Sequence, residues 1–321
     1  LEGLPAGVPL LAADIDADLA RRQQGYGRGR RMQIETDRME FLSGVRAGES
    51  LGSPISMLIR NSDWKNWVDI MDAAPRPEDA DGPRKRHVTR VRPGHADLTG
   101  ALKYGYTDLR PALERASARE TAARVAAGSI CRRFLAEFGI QVGGYVLSIG
   151  TVSADVTTLA VDERIRLALL SDVSCPDANA AERMQQAIRD IMTARDTLGG
   201  VIEIAVLGLP PGLGSFMQWD RRLEARIGAA VLSVQAIKGV EFGPAFENAH
   251  LPGTKAHDPI LLEEERLVRP TNRSGGVEGG VTTGQPLFIR AAMKPIATTL
   301  TPQQSVNLAV KAAEVTHYER S

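Results

Sequence analysis

The sequence predicts an α+β fold, with antiparallel sheets and helices segregated from them. Three observations predict it. The run from Arg31 to Gly44, RMQIETDRMEFLSG, alternates apolar and polar residues about a Thr36-Asp37 turn, the pattern of a two-stranded hairpin with one buried face. Nowhere do strand and helix patterns alternate regularly, as parallel sheets built by crossovers require. Two central helical stretches are loaded with small residues, Ala122, Ala123, Ala126, Ala127, Gly128 and Ser129 in one and Gly228, Ala229 and Ala230 in the other. Small side chains let helix axes approach closely, so these helices are expected to pack against one another beneath the sheets.

Leu11 to Gln23 reads as a helix, with Asp14, Asp16 and Asp18 early and Arg21 and Arg22 late, the charge order that the macrodipole favours. It is expected to stop at Gly25. Strands are expected at Ile55 to Ile59, Val142 to Ile149, Val201 to Leu207 and Leu287 to Ala291, and further helices at Ser117 to Phe138, Pro176 to Arg195 and Asp220 to Ile237. Ala73 to Arg86 reads as a surface loop, because its prolines and mixed charges cannot bury a face. A chain of 321 residues exceeds a typical single domain, yet no linker marks a division.

The composition, 43% hydrophobic and 24% charged with zero formal net charge, indicates neither a polyanion partner nor a membrane surface. No apolar run is long enough to span a bilayer. Cys131 and Cys175 match no metal-site spacing and read as buried free thiols in a reducing cytosol, so a cytoplasmic protein is expected. The basic residues are lopsided, 32 Arg against 7 Lys among 39 in all. That bias suits recognition of a multiply anionic ligand, and a GC-rich genome would produce it too.

The most informative stretch runs from Arg92 to Arg124. Ser117 followed by Glu120 reads as a capping box, which puts Arg119 in a first helical turn where the dipole already disfavours a cation by about 0.3 to 1 kcal/mol. With Arg115 just upstream, this makes a site for phosphate or carboxylate. The alternative is a solvated helix start in which Glu114 and Glu120 pair the arginines. Gly25-Tyr26-Gly27-Arg28-Gly29 follows a helix and enters a strand, so it is no dinucleotide fingerprint, and the chain lacks a P-loop. Its glycines suit close backbone approach to a ligand, with Arg22 and Arg28 at the site; an RNA-binding reading is opposed by the single copy and the 5% aromatic content. His95, in Pro-Gly-His-Ala-Asp with Arg92 three residues earlier, has the best local case for chemistry among 5 histidines. His87, His250, His257 and His317 show no metal spacing and read as structural or solvated.

The runs RPGHADLTGALKYGYTDLR and ERASARETAARV resemble the chorismate synthase family. So do LARRQQGYGRGRRM, GSPISMLIRNSDW, DTLGGVIEIAVLGLPPGLGS, VQAIKGVEFG, TNRSGGVEGGVTTGQP and AAMKPIAT, in family order along nearly the whole chain. The resemblance implies long helices sandwiched between two antiparallel β-sheets, one domain over residues 1–321, and a homotetramer. It implies a lyase converting 5-enolpyruvylshikimate 3-phosphate into chorismate and phosphate by anti 1,4-elimination with reduced FMN. NADPH is the candidate reductant, acting through this protein or through a separate flavin reductase. His95 would be catalytic. Arg115, Ala116, Ser117, Gln235, Ala236, Gly279, Lys294, Pro295, Ile296, Ala297, Thr298 and Arg320 would bind the flavin, and Arg22, Arg28, Arg92 and Arg119 the substrate or the nicotinamide nucleotide.

Two departures stand beside the resemblance. The family's opening Gly-Glu-Ser-His-Gly motif, which supplies a second catalytic histidine, has no counterpart; Ala47 to Gly52 mimics it with Leu51 in place of histidine. The family's late Arg-Ser-Asp motif ends here at Arg320-Ser321. The expectation is a chain without those two parts, and the competing function is a noncatalytic flavin-binding or oligomer-forming fragment.

Overall fold

A computed structural model of the chain describes residues 1–27, 36–74, 87–116 and 119–316. In chain order the elements begin β1 (Ala6–Pro9), α1 (Ala12–Gln23), β2 (Met39–Ser43), β3 (Val45–Arg46), β4 (Glu49–Leu51), β5 (Ser56–Ile59), α2 (Val68–Met71), α3 (Asp97–Tyr104), α4 (Arg110–Arg115) and α5 (Glu120–Ala136). They continue with β6 (Gln141–Ile149), β7 (Val152–Ser153), α6 (Val161–Leu170), α7 (Ala178–Thr193), β8 (Gly200–Leu207), α8 (Leu223–Leu232), β9 (Ile237–Phe242), α9 (Ala245–Asn248) and α10 (Gly253–Ala256). The last strands are β10 (Leu261–Glu263), β11 (Arg266–Val268), β12 (Val277–Glu278), β13 (Val281–Thr282), β14 (Leu287–Met293), β15 (Gln304–Asn307) and β16 (Ala312–Val315). Every described strand pair is antiparallel, and the α+β class read from the sequence is the class observed.

The chain forms two compact units, one of residues 1–130, 191–197 and 296–321, the other of residues 131–190 and 198–295. The second unit is built on a five-stranded sheet ordered β7-β6-β8-β14-β9. β8, GVIEIAVL, is apolar nearly throughout because both of its faces are covered. Ile204 and Val206, with Leu287 and Ile289 of β14, pack with Leu223, Ile227 and Val231 of α8. Ala205 and Leu207, on the alternate positions, pack with Val161, Ile165 and Ala168 of α6. Gly143 of β6 permits that second contact, since a Cβ there would lie 2.6 Å from Ile165.

Across the same face runs a row of charge. Glu203 on β8 sits opposite Tyr145 on one neighbouring strand and Arg290 on the other, and Arg290 in turn sits opposite Glu241 of β9. Glu203, 3% exposed, accepts hydrogen bonds from the Tyr145 hydroxyl at 2.5 Å and Arg290 Nε at 2.6 Å. Burial, then the bond to Glu203, push the Tyr145 phenol well above its ordinary value.

In the first unit β1, β4 and β3 form one sheet, β2 pairs with β5, and β15 with β16. Its core beneath α3 and α4 is Val88, Val91, Ala101, Leu109 and Leu113, with Tyr106 and Leu308 against it. Residues 89–91 run beside β15, through Leu308 N–H to Thr89 O at 2.9 Å and Val91 N–H to Val306 O at 3.2 Å.

Several sequence expectations need correction or fall elsewhere. The first arm of the 31–44 hairpin lies outside the described residues, as does most of the 73–86 loop; the second arm is β2, whose described partner is β5. The helix expected from Asp220 to Ile237 ends at Leu232, and Ile237 opens strand β9. Ala236, at φ 68°, turns the chain between them. At the glycines among the small residues, Gly228 faces the Phe242 ring of β9, and a Cβ at Gly128 would meet nothing within 4 Å among the described residues. Cys175 is buried as expected, but Cys131 is exposed on α5; both are free.

Leu113 is fully buried in its cluster. Leu113→Ala is expected to lower the unfolding free energy by about 2 to 5 kcal/mol, measured by urea denaturation.

Candidate active site

Arg92 follows the segment paired with β15, and Gly94, at φ 75°, turns the chain so that His95 and Asp97 come back beside it. Asp97 opens α3 and is fully buried. Its Oδ2 accepts Arg92 N–H at 3.1 Å and Arg92 Nε at 2.9 Å, and its Oδ1 stands 2.5 Å from His95 Nδ1. Arg92, 6% exposed, spends its remaining nitrogens on Thr298 Oγ1 at 3.0 Å and on contacts of Nη2 with Asp97 Oδ1 at 3.3 Å and His95 Nδ1 at 3.1 Å. Burial raises the Asp97 pKa, but the hydrogen bonds and charges of His95 and Arg92 outweigh it and hold the carboxyl at about 2.

A second buried carboxylate gathers the arginines of the helix-start region. Asp37 is 5% exposed and pairs with Arg22 Nη1 at 3.2 Å and, through its other oxygen, with Arg119 Nη1. Arg22 Nε also donates to Thr121 Oγ1 at 2.9 Å, and Arg119 Nη2 to Arg60 O at 3.0 Å. Arg119 precedes α5 rather than lying in its first turn, and its carbonyl accepts Ala122 N–H at 3.0 Å. Arg115 ends α4, largely exposed and 3.5 Å from Glu120, which is the solvated arrangement. Ser117 of the capping box, Arg28 and Arg320 lie outside the described residues.

In the second unit, Ala236 holds a left-handed conformation that costs a β-carbon about 1 kcal/mol, and its carbonyl accepts Lys294 N–H at 3.0 Å. Gln235 Oε1 beside it is buried without a hydrogen-bond partner among the described residues. Gly279 sits at φ 61°, and a Cβ there would meet nothing within 4 Å among the described residues. An orphaned acceptor, a strained turn and an open glycine fit a flat ligand bearing N–H groups, and Lys294 suits an anionic tail. In the first unit Ile296 and Ala297 lead to Thr298, the Ile296 carbonyl accepting Thr197 Oγ1 at 2.8 Å. Sequence reasoning missed Asp37 and Asp97; Asp97 stood in the Pro-Gly-His-Ala-Asp motif, two residues after the histidine that it holds.

Among the described residues no group of three or more His, Cys, Asp or Glu could hold a metal ion, and no described helix is long and apolar enough to cross a membrane.

Fold and side chains together define an α+β protein whose paired arginines, buried acids and loop histidine suit proton chemistry on an anionic ligand. The family profile described as chorismate synthase matches residues 1–321. The chorismate synthase of Bacillus cytotoxicus is 51% identical over 323 residues, covering 100% of this chain and 83% of that protein, and that of Symbiobacterium thermophilum is 52% identical over 324 residues with the same coverage. A crystal structure of chorismate synthase superposes with a TM-score of 0.76 at 41% identity, covering 92% of this chain and 79% of that one. The chain belongs to the chorismate synthase family. It is a carbon–oxygen lyase of aromatic amino acid biosynthesis, forming chorismate from 5-enolpyruvylshikimate 3-phosphate in the shikimate pathway, with a reduced flavin.

Asp97, held well below the ordinary carboxylate value, contributes stability that is present above about pH 4 and lost as pH falls toward 2. The gap in unfolding free energy between the wild type and Asp97→Asn should close by on the order of 2 kcal/mol as pH falls from about 4 toward 2. Urea titrations at stepped pH measure it.

Proposed function

We propose that the flavin is FMN and that His95 is the catalytic proton carrier beside it. The observation that carries this reading is the fixed His95–Asp97–Arg92–Thr298 cluster, which joins the loop histidine to Thr298. The family resemblance assigns flavin contacts to Arg115, Ala116, Ser117, Ile296, Ala297, Thr298 and Arg320 in the first unit and, separately, to Gln235, Ala236, Gly279, Lys294 and Pro295 in the second. Lys294 meets phosphate charge, Gln235 accepts from a ring N–H, and Gly279 leaves its face open to the ring. Reduced FMN, when bound, supplies an electron-rich ring against which an allylic phosphate can depart.

The substrate carries two carboxylates and a phosphate. Arg22 and Arg119, already aligned by Asp37, supply positive charge for it, and Arg28 joins them on its sequence match. Arg92 serves through Asp97 and Thr298, because its buried guanidinium is taken up by them. NADPH, used directly or through a separate reductase, is the reductant in this reading. The working form is a homotetramer of one-domain chains in the cytoplasm, a compartment that suits the free thiols Cys131 and Cys175.

His95→Ala is expected to lower turnover by about 10 to 10⁴-fold with the fold retained, as judged by circular dichroism and an anaerobic chorismate assay. Lys294→Ala should weaken FMN, and Arg119→Ala the substrate, each by about 1.5 to 3 kcal/mol in calorimetric titration. Unchanged affinities would return both residues to structural roles.

A further inference from the structure

We propose that Asp97 is the positioning residue of His95: its buried carboxylate fixes the proton on Nδ1, so that Nε2 is the nitrogen presented to the bound ligand. This rests on the reading of His95 as the proton carrier. Three facts lead to it. Oδ1 of Asp97 lies 2.5 Å from Nδ1, too close for two lone pairs to face one another. The carboxyl titrates at about 2, so near neutrality it can only accept, and Nδ1 must donate. Nε2 makes no hydrogen bond among the described residues.

Asp97 cannot turn to release the ring. Oδ2 is pinned by the backbone N–H and Nε of Arg92, and Arg92 is itself tied to Thr298 Oγ1 at 3.0 Å. The carboxylate therefore has one orientation, and the ring inherits it. A proton given from Nε2 leaves a neutral ring still protonated at Nδ1, and the same Nε2 lone pair takes a proton back, so the ring returns to its starting state without changing tautomer. The Asp97 carboxylate accepts from Nδ1–H throughout that cycle. Thr298 gains a role from the same cluster: its oxygen accepts from Arg92, which leaves its hydroxyl proton to be donated elsewhere.

The test is the tautomer itself. In protein labelled with ¹⁵N at histidine, long-range proton–nitrogen correlation distinguishes Nδ1–H from Nε2–H, and the His95 signals, among those of 5 histidines, are assigned by their loss in His95→Ala. The wild type is expected to show Nδ1–H. In Asp97→Asn the amide oxygen should face the two Arg92 donors and the NH₂ should face Nδ1, so the proton moves to Nε2. Turnover should then fall by about 10² to 10⁴-fold, the scale on which a wrong tautomer disables a Ser-His-Asp triad. An Nε2–H wild type, or an Asp97→Asn protein with unchanged tautomer and turnover, overturns the proposal. Should Asp97→Asn not fold, the wild-type spectrum decides alone. Wild-type turnover in His95→Ala would instead overturn the reading of His95, whichever tautomer is seen.

Discussion

A carboxylate taken out of water must be met by positive charge and hydrogen-bond donors, and that constraint orders both units of this chain. Asp97, Asp37 and Glu203 are each 5% exposed or less. Each is answered by arginine: Asp97 by Arg92, Asp37 by Arg22 and Arg119, Glu203 by Arg290 with Arg164 at 3.8 Å. Removing one partner of such a pair strands a buried charge at a cost of about 3 to 5 kcal/mol, so these groups hold their geometry tightly. Arginine suits the task better than lysine because its planar fork reaches two acceptors at once, as Arg92 does with Asp97 and Thr298.

The three acids do different work with the same physics. Glu203 sits in the middle of an apolar sheet face, between directly opposed Tyr145 and Arg290, and its charge is consumed within the sheet. That row fixes register, since a one-residue slip would leave Glu203 among apolar side chains. Asp37 and Asp97 lie instead beside loops and helix starts, where each leaves polar groups pointing away from itself. Asp97 leaves His95 Nε2; Asp37 aligns the guanidinium groups of Arg22 and Arg119. Groups held in place before a charged ligand arrives spend no rearrangement energy when it binds.

Much of the frame was legible in the sequence for local reasons. α1, β5, β6, β8, β14 and α7 stand within a few residues of the expected bounds, because each carries a complete period of its own pattern. The overlong helix at Asp220 failed for a local reason too. Leu223, Ile227, Val231, Val234 and Ile237 keep helical spacing straight through the turn, and only the left-handed backbone of Ala236 ends it. Strands such as β1 and β4 gave no signal, being 4 and 3 residues long and defined by partners far away in sequence. The site divides in the same way. His95 was readable from its motif, whereas Asp37 read only as part of a hairpin turn and Asp97 only as the last residue of the histidine motif, because their meaning lies in partners brought to them by folding.

The arginine excess can now be sorted by environment rather than by number. Arg166 pairs with Glu163 on an exposed helix surface, where a lysine would serve nearly as well and where codon bias is a sufficient account. Arg92 and Arg22 are 5% and 12% exposed at the side chain, each reaches two different acceptors, and each stands in a block shared with the family. A lysine at either place could reach one acceptor at a time and would leave the other buried oxygen short of a donor. Selection on such positions is then for geometry as well as charge. Arg22, at the end of α1, and Arg119, just before α5, are both compensated by the buried Asp37, which fixes where each guanidinium lies.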